Sequence, residues 1–229
     1  MTMRPISVYV GYDPREKVAF YTFCESLIAK SSNLLRITPL ALHHFDEYEE
    51  RHSDGSNEFI YSRFLVPYLS NFDGFSIFFD GDMLIRTDIS DLLDLIDPNY
   101  AVQVVKHNYK TKFEKKYLGS INENYPRKNW SSVIIFNNSH PKHRVLTPEF
   151  IASSTGKFLH RFSWLDDSDI GELPLDWNWL VSEYPANDEA KLWHFTIGTP
   201  CFKDFAVQDG SDDWRAVRDE VVSHVETGH

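Results

Sequence analysis

A chain of 229 residues, 42% hydrophobic and 25% charged, holds enough apolar material for one substantial core and has an ordinary globular composition. Its net charge of −11 excludes a general nucleic-acid binder, which needs basic surface to neutralise phosphates. Two cysteines, Cys24 and Cys201, are too few for a disulfide framework and lack metal-type spacing; with no signal-type apolar stretch in the first ten residues and no run of membrane-spanning length, they predict a cytoplasmic protein.

The β-branched and aromatic run Ile6-Ser7-Val8-Tyr9-Val10 predicts a first strand, closed by turn chemistry at Gly11-Tyr12-Asp13-Pro14. Residues 14 to about 31 read as a helix, with proline near the first turn and Val18, Phe20, Tyr21, Cys24, Leu27 and Ile28 at helical spacing. A second strand follows over 34–42, then a polar, acidic loop over 43–57. Helical spacing returns over 59–69, with Arg63 among Tyr61, Phe64, Leu65 and Tyr68. Phe75-Ser76-Ile77-Phe78-Phe79 predicts a short buried strand that runs into Asp80-Gly81-Asp82, and a short helix spans 89–95. Alternation of strands and helices predicts an α/β fold with a parallel sheet and crossovers. No repeat or low-complexity linker divides the chain.

In such sheets ligands sit beyond the carboxyl ends of the strands. Asp80 and Asp82 are delivered there on either side of Gly81, where the backbone can turn and approach a ligand closely. Hard divalent cations take carboxylate and phosphate oxygens, so the pair is a candidate metal site for a bound diphosphate. Asp-x-Asp triplets are also common in solvated turns, and it is the buried strand before this one that favours the metal.

Residues 100–105 predict a further strand. The stretch 106–128 then carries seven Lys or Arg against two Glu, a balance of +5 that leaves −16 for the rest of the chain. It reads either as a solvated loop or as a basic flap that meets the charge of a nucleotide diphosphate or an acceptor. Residues 130–137 form another strand, and 141–153 a helix interrupted by Pro148. Three acids lie close together in Asp166-Asp167-Ser168-Asp169, one or two of which would suit a helix N-terminus. Residues 175–180 are strand-like, 192–195 form a short apolar strand holding His194, and 212–225 read as a terminal helix with Trp214 and Val217 facing inward. A lone histidine in an apolar run is more often a core residue than a ligand.

Taken in order, Gly11-Tyr12-Asp13, Tyr61-Ser62-Arg63, Asp80-Gly81-Asp82, Trp130-Ser131-Ser132, Asp166-Asp167 and His194-Phe195 with Gly198 resemble the metal-dependent nucleotide-sugar glycosyltransferases of the GT-A type. Within these the chain looks most like the retaining family 8 group of glycogenin and the bacterial lipopolysaccharide galactosyltransferases. The resemblance implies one α/β GT-A domain over 1–229, Rossmann-like, with a mainly parallel central sheet flanked by helices. Its nucleotide-binding part would be 1–105, and its acceptor and donor-sugar part 106–229. It implies transfer of a hexose from a UDP-sugar to an acceptor of undefined class. Asp80, Asp82 and His194 would hold Mn²⁺ or Mg²⁺. Gly11, Tyr12 and Asp13 would meet the uracil and ribose, Arg63 the diphosphate, and Ser131 and Ser132 the donor sugar. Asp166 and Asp167 would lie beside the anomeric carbon, and Gly198 would belong to the late glycine segment. The family's lysine after that glycine is absent, and Lys203 or a lysine of 106–128 would take its place.

Three rivals make different demands. A nucleotidyltransferase using a nucleoside triphosphate and a divalent metal would usually carry a Gly-rich phosphate loop where this chain has Asp13-Pro14-Arg15-Glu16. A carboxylate-based nuclease is a poor match for a net charge of −11. A sugar-binding module without turnover would use aromatics such as Trp177 and Trp179, for which core packing is the simpler role.

Overall fold

The protein is described here by a computed structural model that covers residues 5–53, 55 and 57–223. Its main sheet contains β1 (Ile6–Gly11), β2 (Leu35–Leu40), β3 (Phe75–Phe79), β5 (Val102–Val105), β6 (Val133–Asn137) and β7 (Ile170–Leu173), in the order β2-β1-β3-β6-β5-β7. β1 is parallel to β2 and β3, and β5 is parallel to β7. Only β6 opposes its neighbours, β3 and β5. Five strands therefore point the same way. Their carboxyl ends share one edge with the amino end of β6, and that edge receives Gly11–Asp13, Asp80–Asp82, the start of 106–128 and Ser131–Ser132.

The pleat explains why these strands read as nearly continuous apolar runs, since both faces of the sheet are covered. Phe78, Val102, Val104, Ile134 and Phe136 pack on one face with Phe64, Leu159 and Phe162. Ile77, Phe79, Val133 and Ile135 pack on the other with Phe23 and Leu27 of α1 (Lys17–Lys30). A second, three-stranded sheet has the order β4-β9-β8, from β4 (Met83–Ile85), β8 (Trp179–Leu180) and β9 (Leu192–His194). Trp193 and Phe195 there pack with Leu84, Ala19 and Trp214, the last from α6 (Ser211–Val222).

The remaining helices are short: α2 (Val66–Leu69), α3 (Ser90–Leu93), α4 (Pro148–Ser153) and α5 (Gly156–His160). The helix expected over 59–69 is a 3-10 turn, Ser62–Leu65, that passes into α2, with Pro67 removing an amide donor near the junction. The helix over 141–153 is likewise split into a 3-10 segment, Pro141–Val145, and α4, which Thr147 caps through the Phe150 amide. Where a strand was expected over 175–180, Pro174 is followed by a 3-10 turn, Leu175–Asn178, and only Trp179–Leu180 pair. Trp177 is fully buried and Trp179 packs beside Trp193, so both tryptophans serve the core. Trp214 and Val217 face inward as expected, while the last two residues of the predicted terminal helix lie outside the described residues. Among the described residues no helix is long and apolar enough to cross a membrane.

Candidate metal centre and active site

Asp80 and Asp82 leave β3 and enter β4, and β4 pairs antiparallel with β9 so that Met83 stands opposite His194. The Phe195 amide donates to the Asp82 carbonyl at 2.9 Å, which fixes the histidine beside the acids. All three side chains are buried, and one ligand-type atom from each lies within 4.8 Å of the others. His194 Nε2 is 3.3 Å from Asp82 Oδ1 and 3.9 Å from Asp80 Oδ2. Asp82 Oδ1 is buried and accepts no hydrogen bond, and Asp80 Oδ1 has only the Arg63 guanidinium as its partner. Asp80 Oδ2 and Asp82 Oδ1 facing the imidazole nitrogen make a hard oxygen and nitrogen donor set that fits a divalent cation.

The histidine is held in the ligating tautomer from behind. Asn178 Oδ1, which can only accept, lies 2.9 Å from His194 Nδ1, so Nδ1 donates to it and Nε2 is turned toward the acids. Asn178 is oriented in turn by donating from Nδ2 to Ser132 Oγ at 2.7 Å, and Ser132 donates to the Asn129 carbonyl at 2.8 Å. Burial pushes the Asp80 carboxyl up to about 6, the larger effect, against the pull of Arg63. Burial is also the largest single influence on Asp82 and opposes its charge, but the His194 contact, the Lys116 charge and a backbone hydrogen bond together hold that carboxyl below the usual range.

Positive charge surrounds the acids. Arg63 is 3% exposed; it donates to the Ser131 carbonyl at 2.8 Å and lies 2.6 Å from Asp80 Oδ1. The stretch 106–128 folds over this edge with little regular structure of its own. The Tyr117 amide donates to the Ile197 carbonyl at 2.7 Å, and its ring stacks on Phe202 with centroids 4.9 Å apart. Its hydroxyl donates to Glu16 Oε1 at 2.6 Å. Lys116 Nζ donates to Thr196 Oγ1 at 3.1 Å, close enough to Asp80 and Asp82 for its charge to act on both. Burial, then the Asp82 charge, pushes the Glu16 carboxyl up to about 8.

No family model matches the sequence. Among curated proteins, Protein CDI of Arabidopsis thaliana is 40% identical over 220 residues, an alignment covering 92% of this chain and 85% of that protein. The chain belongs to the Protein CDI family. Among solved structures, the CDI-family chain superposes on the bifunctional glycosyltransferase WbbM with a TM-score of 0.66 at 16% identity, covering 93% of this chain and 49% of WbbM. For the glycosyltransferase GlyE of Streptococcus pneumoniae TIGR4 the TM-score is 0.61 at 13% identity, covering 93% and 60%. For the galactosyltransferase LgtC, in complex with donor and acceptor sugar analogues, it is 0.58 at 10% identity, covering 96% and 98%. The chain thus spans about half the length of WbbM and less than two thirds of GlyE. At these identities the likeness concerns the fold, and the fold is GT-A.

In this CDI-family chain the sheet edge brings together Gly11, Tyr12, Asp13, Arg63, Asp80, Gly81, Asp82, Ser131, Ser132 and His194. Gly81 passes so close to the Gly11 carbonyl that a Cβ would collide with it, and a Cβ on Gly11 would collide with the Phe59 ring. Asp13 is 1% exposed and occupied by Arg15 and by the Glu58 amide at 3.2 Å, so it shapes the loop. Gly198 is buried against Phe205, and Gln208 donates to its carbonyl at 2.7 Å.

Asp166 is not brought to this edge, and Asp167 meets only its flap, through Arg127. They precede the amino end of β7, which lies at the opposite side of the sheet, where the Ala101 amide donates to the Asp169 carbonyl at 2.9 Å. Asp166 pairs there with Lys142 at 2.6 Å, beyond the carboxyl end of β6. Asp167 is exposed and pairs with Arg127 at 2.5 Å. The capping geometry accounts for the acidic cluster: the Asp169 side chain accepts from the Asp166 amide at 2.8 Å. Lys203 is exposed in a 3-10 turn, Lys203–Phe205, and Lys116 is the lysine that faces the acids. Asn178, Glu16 and Glu183 escaped sequence reasoning. Glu183 is 3% exposed and accepts from the Lys112 amide at 2.9 Å and from the Thr111 hydroxyl. Nothing local distinguishes these residues from surface polar residues; only their burial does.

Proposed function

We propose that this chain is a glycosyltransferase that moves a hexose from a UDP-sugar to an acceptor, with Asp80, Asp82 and His194 holding Mn²⁺ or Mg²⁺. The observation that carries the reading is the buried Asp80–Asp82–His194 cluster at the carboxyl edge of a GT-A sheet. Its neighbours in fold support it, since WbbM, GlyE and LgtC are all glycosyltransferases. A cation bound there supplies a Lewis acid for the diphosphate and for the charge that builds on the departing phosphate oxygen. Arg63 and Lys116 add fixed positive charge on the same edge, already oriented by the Ser131 carbonyl and by Thr196. Tyr12, half-buried at the exit of β1 and packed edge-on against Phe20 at 5.2 Å, offers a ring face to the base. We assign the nucleotide to the part contributed by 1–105 and the sugars to the part contributed by 106–229, within one domain. Retention of anomeric configuration, as in the glycogenin group, rests on the resemblance. The free thiols Cys24 and Cys201 support a cytoplasmic setting.

Calorimetry of UDP with and without Mn²⁺, on wild type and on Asp80→Ala/Asp82→Ala, tests the reading. Binding that requires the metal and is lost in the double variant is expected. If UDP, GDP and CDP all fail to bind the wild type, the reading falls. For the stereochemistry, NMR of the first-formed product is expected to show the donor's anomeric configuration, and inversion would remove the assignment to a retaining group.

A further inference from the structure

Beside the candidate metal centre, between the 106–128 flap and α5, lies a cavity of about 400 Å³. Lys116 and Lys128 line it from the flap, and Lys157 and Arg161 from α5 and the turn after it, together with His160, Tyr125 and a single acid, Glu123. Four cations against one acid around a single cavity run against the composition of a chain whose net charge is −11. The hydrogen bonds of Lys116 and Lys128 go to neutral groups, although Lys116 also feels the charges of Asp80 and Asp82. Lys116 donates to Thr196, and Lys128 donates to Asn122 Oδ1 at 2.5 Å and to the Glu123 carbonyl at 2.6 Å. Among the described residues, none of the four has a carboxylate within ion-pair distance, although Arg63 and Arg127 nearby both do.

Like charges facing one partly dehydrated space repel one another, and an anion between them removes the repulsion. The donor diphosphate does not use up this charge. On the reading above it is met by the metal, Arg63 and Lys116, which leaves Lys128, Lys157 and Arg161. His160 lines the same cavity. Its Nδ1 pairs with Ser131 Oγ at 2.7 Å, and its Nε2 is buried with no partner in the protein. We propose that this cavity receives a second anionic group, a carboxylate or phosphate, carried either by the donor's sugar or by the acceptor. The proposal rests on the glycosyltransferase reading for which ligand enters, and on the cavity alone for its charge.

The test compares wild type with Lys157→Gln/Arg161→Gln and with Arg161→Lys, all in Mn²⁺. In one arm calorimetry sets UDP-glucuronate against UDP-glucose. In the other, glucuronate and glucose 6-phosphate are set against glucose, with and without saturating UDP. A charged group on the donor gives a preference of about tenfold for UDP-glucuronate, and one on the acceptor gives a similar preference for the free acidic sugars. Either preference is expected to vanish in the double variant and to survive in Arg161→Lys. No preference for the charged probe in either arm, or a preference that persists in the double variant, overturns the proposal. Loss of UDP binding by the wild type would sink the glycosyltransferase reading instead, and the arm without UDP would still report on the cavity.

Discussion

In the proposed metal centre Asn178 orients His194, because its amide oxygen accepts from Nδ1 and turns Nε2 toward the acids. Asn178→Ala is therefore expected to weaken Mn²⁺ binding by about 10–100-fold in calorimetry. Asn178→Asp still accepts from Nδ1 and is expected to keep most of the affinity. Equal Mn²⁺ affinity in wild type and Asn178→Ala would show that the ring needs no such support. Gly81 makes a different demand, since its α-carbon lies against the Gly11 carbonyl and leaves no space for a side chain. Gly81→Ala is expected to cost about 1–3 kcal/mol in urea unfolding, through displacement of the two loops that carry the site. An unchanged midpoint would mean that the loops shift freely.

At the scale of elements, the flap is held by one tyrosine at three points: its amide on Ile197, its ring on Phe202 and its hydroxyl on Glu16. Tyr117→Ala is expected to speed tryptic cleavage within 106–128, which is rich in lysine, while cleavage elsewhere stays slow. Cleavage at the wild-type rate would place the anchor in other contacts. At the far edge of the sheet, His143 ties the segment after β6 to β5, donating from Nε2 to the Ala101 carbonyl at 2.9 Å and accepting from Trp164 Nε1 at 3.4 Å. Burial lowers its pKa to about 4, below the ordinary histidine value. The unfolded chain then binds the proton first as pH falls, so stability is full above about pH 6.5 and is lost progressively toward pH 4. Between pH 7 and 5 this histidine accounts for a loss of about 2 kcal/mol, and urea titrations of His143→Gln should show a pH dependence shallower by that amount. Parallel curves for the two proteins would refute the assignment.

For the molecule as a whole, a cation that binds only the folded chain must raise its stability. Mn²⁺ at a hundredfold over its dissociation constant adds about 2.7 kcal/mol, which for a chain of this size moves the melting temperature by roughly 5–10 °C. The shift is expected in wild type, is reversed by EDTA and is absent in Asp80→Ala/Asp82→Ala; a shift that survives in the double variant would put the metal elsewhere. The strands β1, β3, β5 and β6 and the placing of Asp80 and Asp82 were legible in the sequence, because burial on both sheet faces and turn chemistry are written in consecutive residues. The 3-10 turns around Ser62 and Leu175 were not, because proline and side-chain contacts there override helical or strand spacing. The Asp166–Asp167 pair shows the limit most clearly. Acids in a row look alike whether they cap a turn or serve a reaction, and it is the direction of β7, parallel to β5, that keeps them off the Asp80–Asp82 end of the strands. Local order thus determined the α/β class and the Asp-x-Asp end of β3. The pairing of β4 with β9 decided that His194 joins it, and the folding of 106–128 onto Ile197 and Phe202 decided which lysine faces it. Both are long-range contacts, whose partners are set by the packed core and leave no periodic trace in the chain.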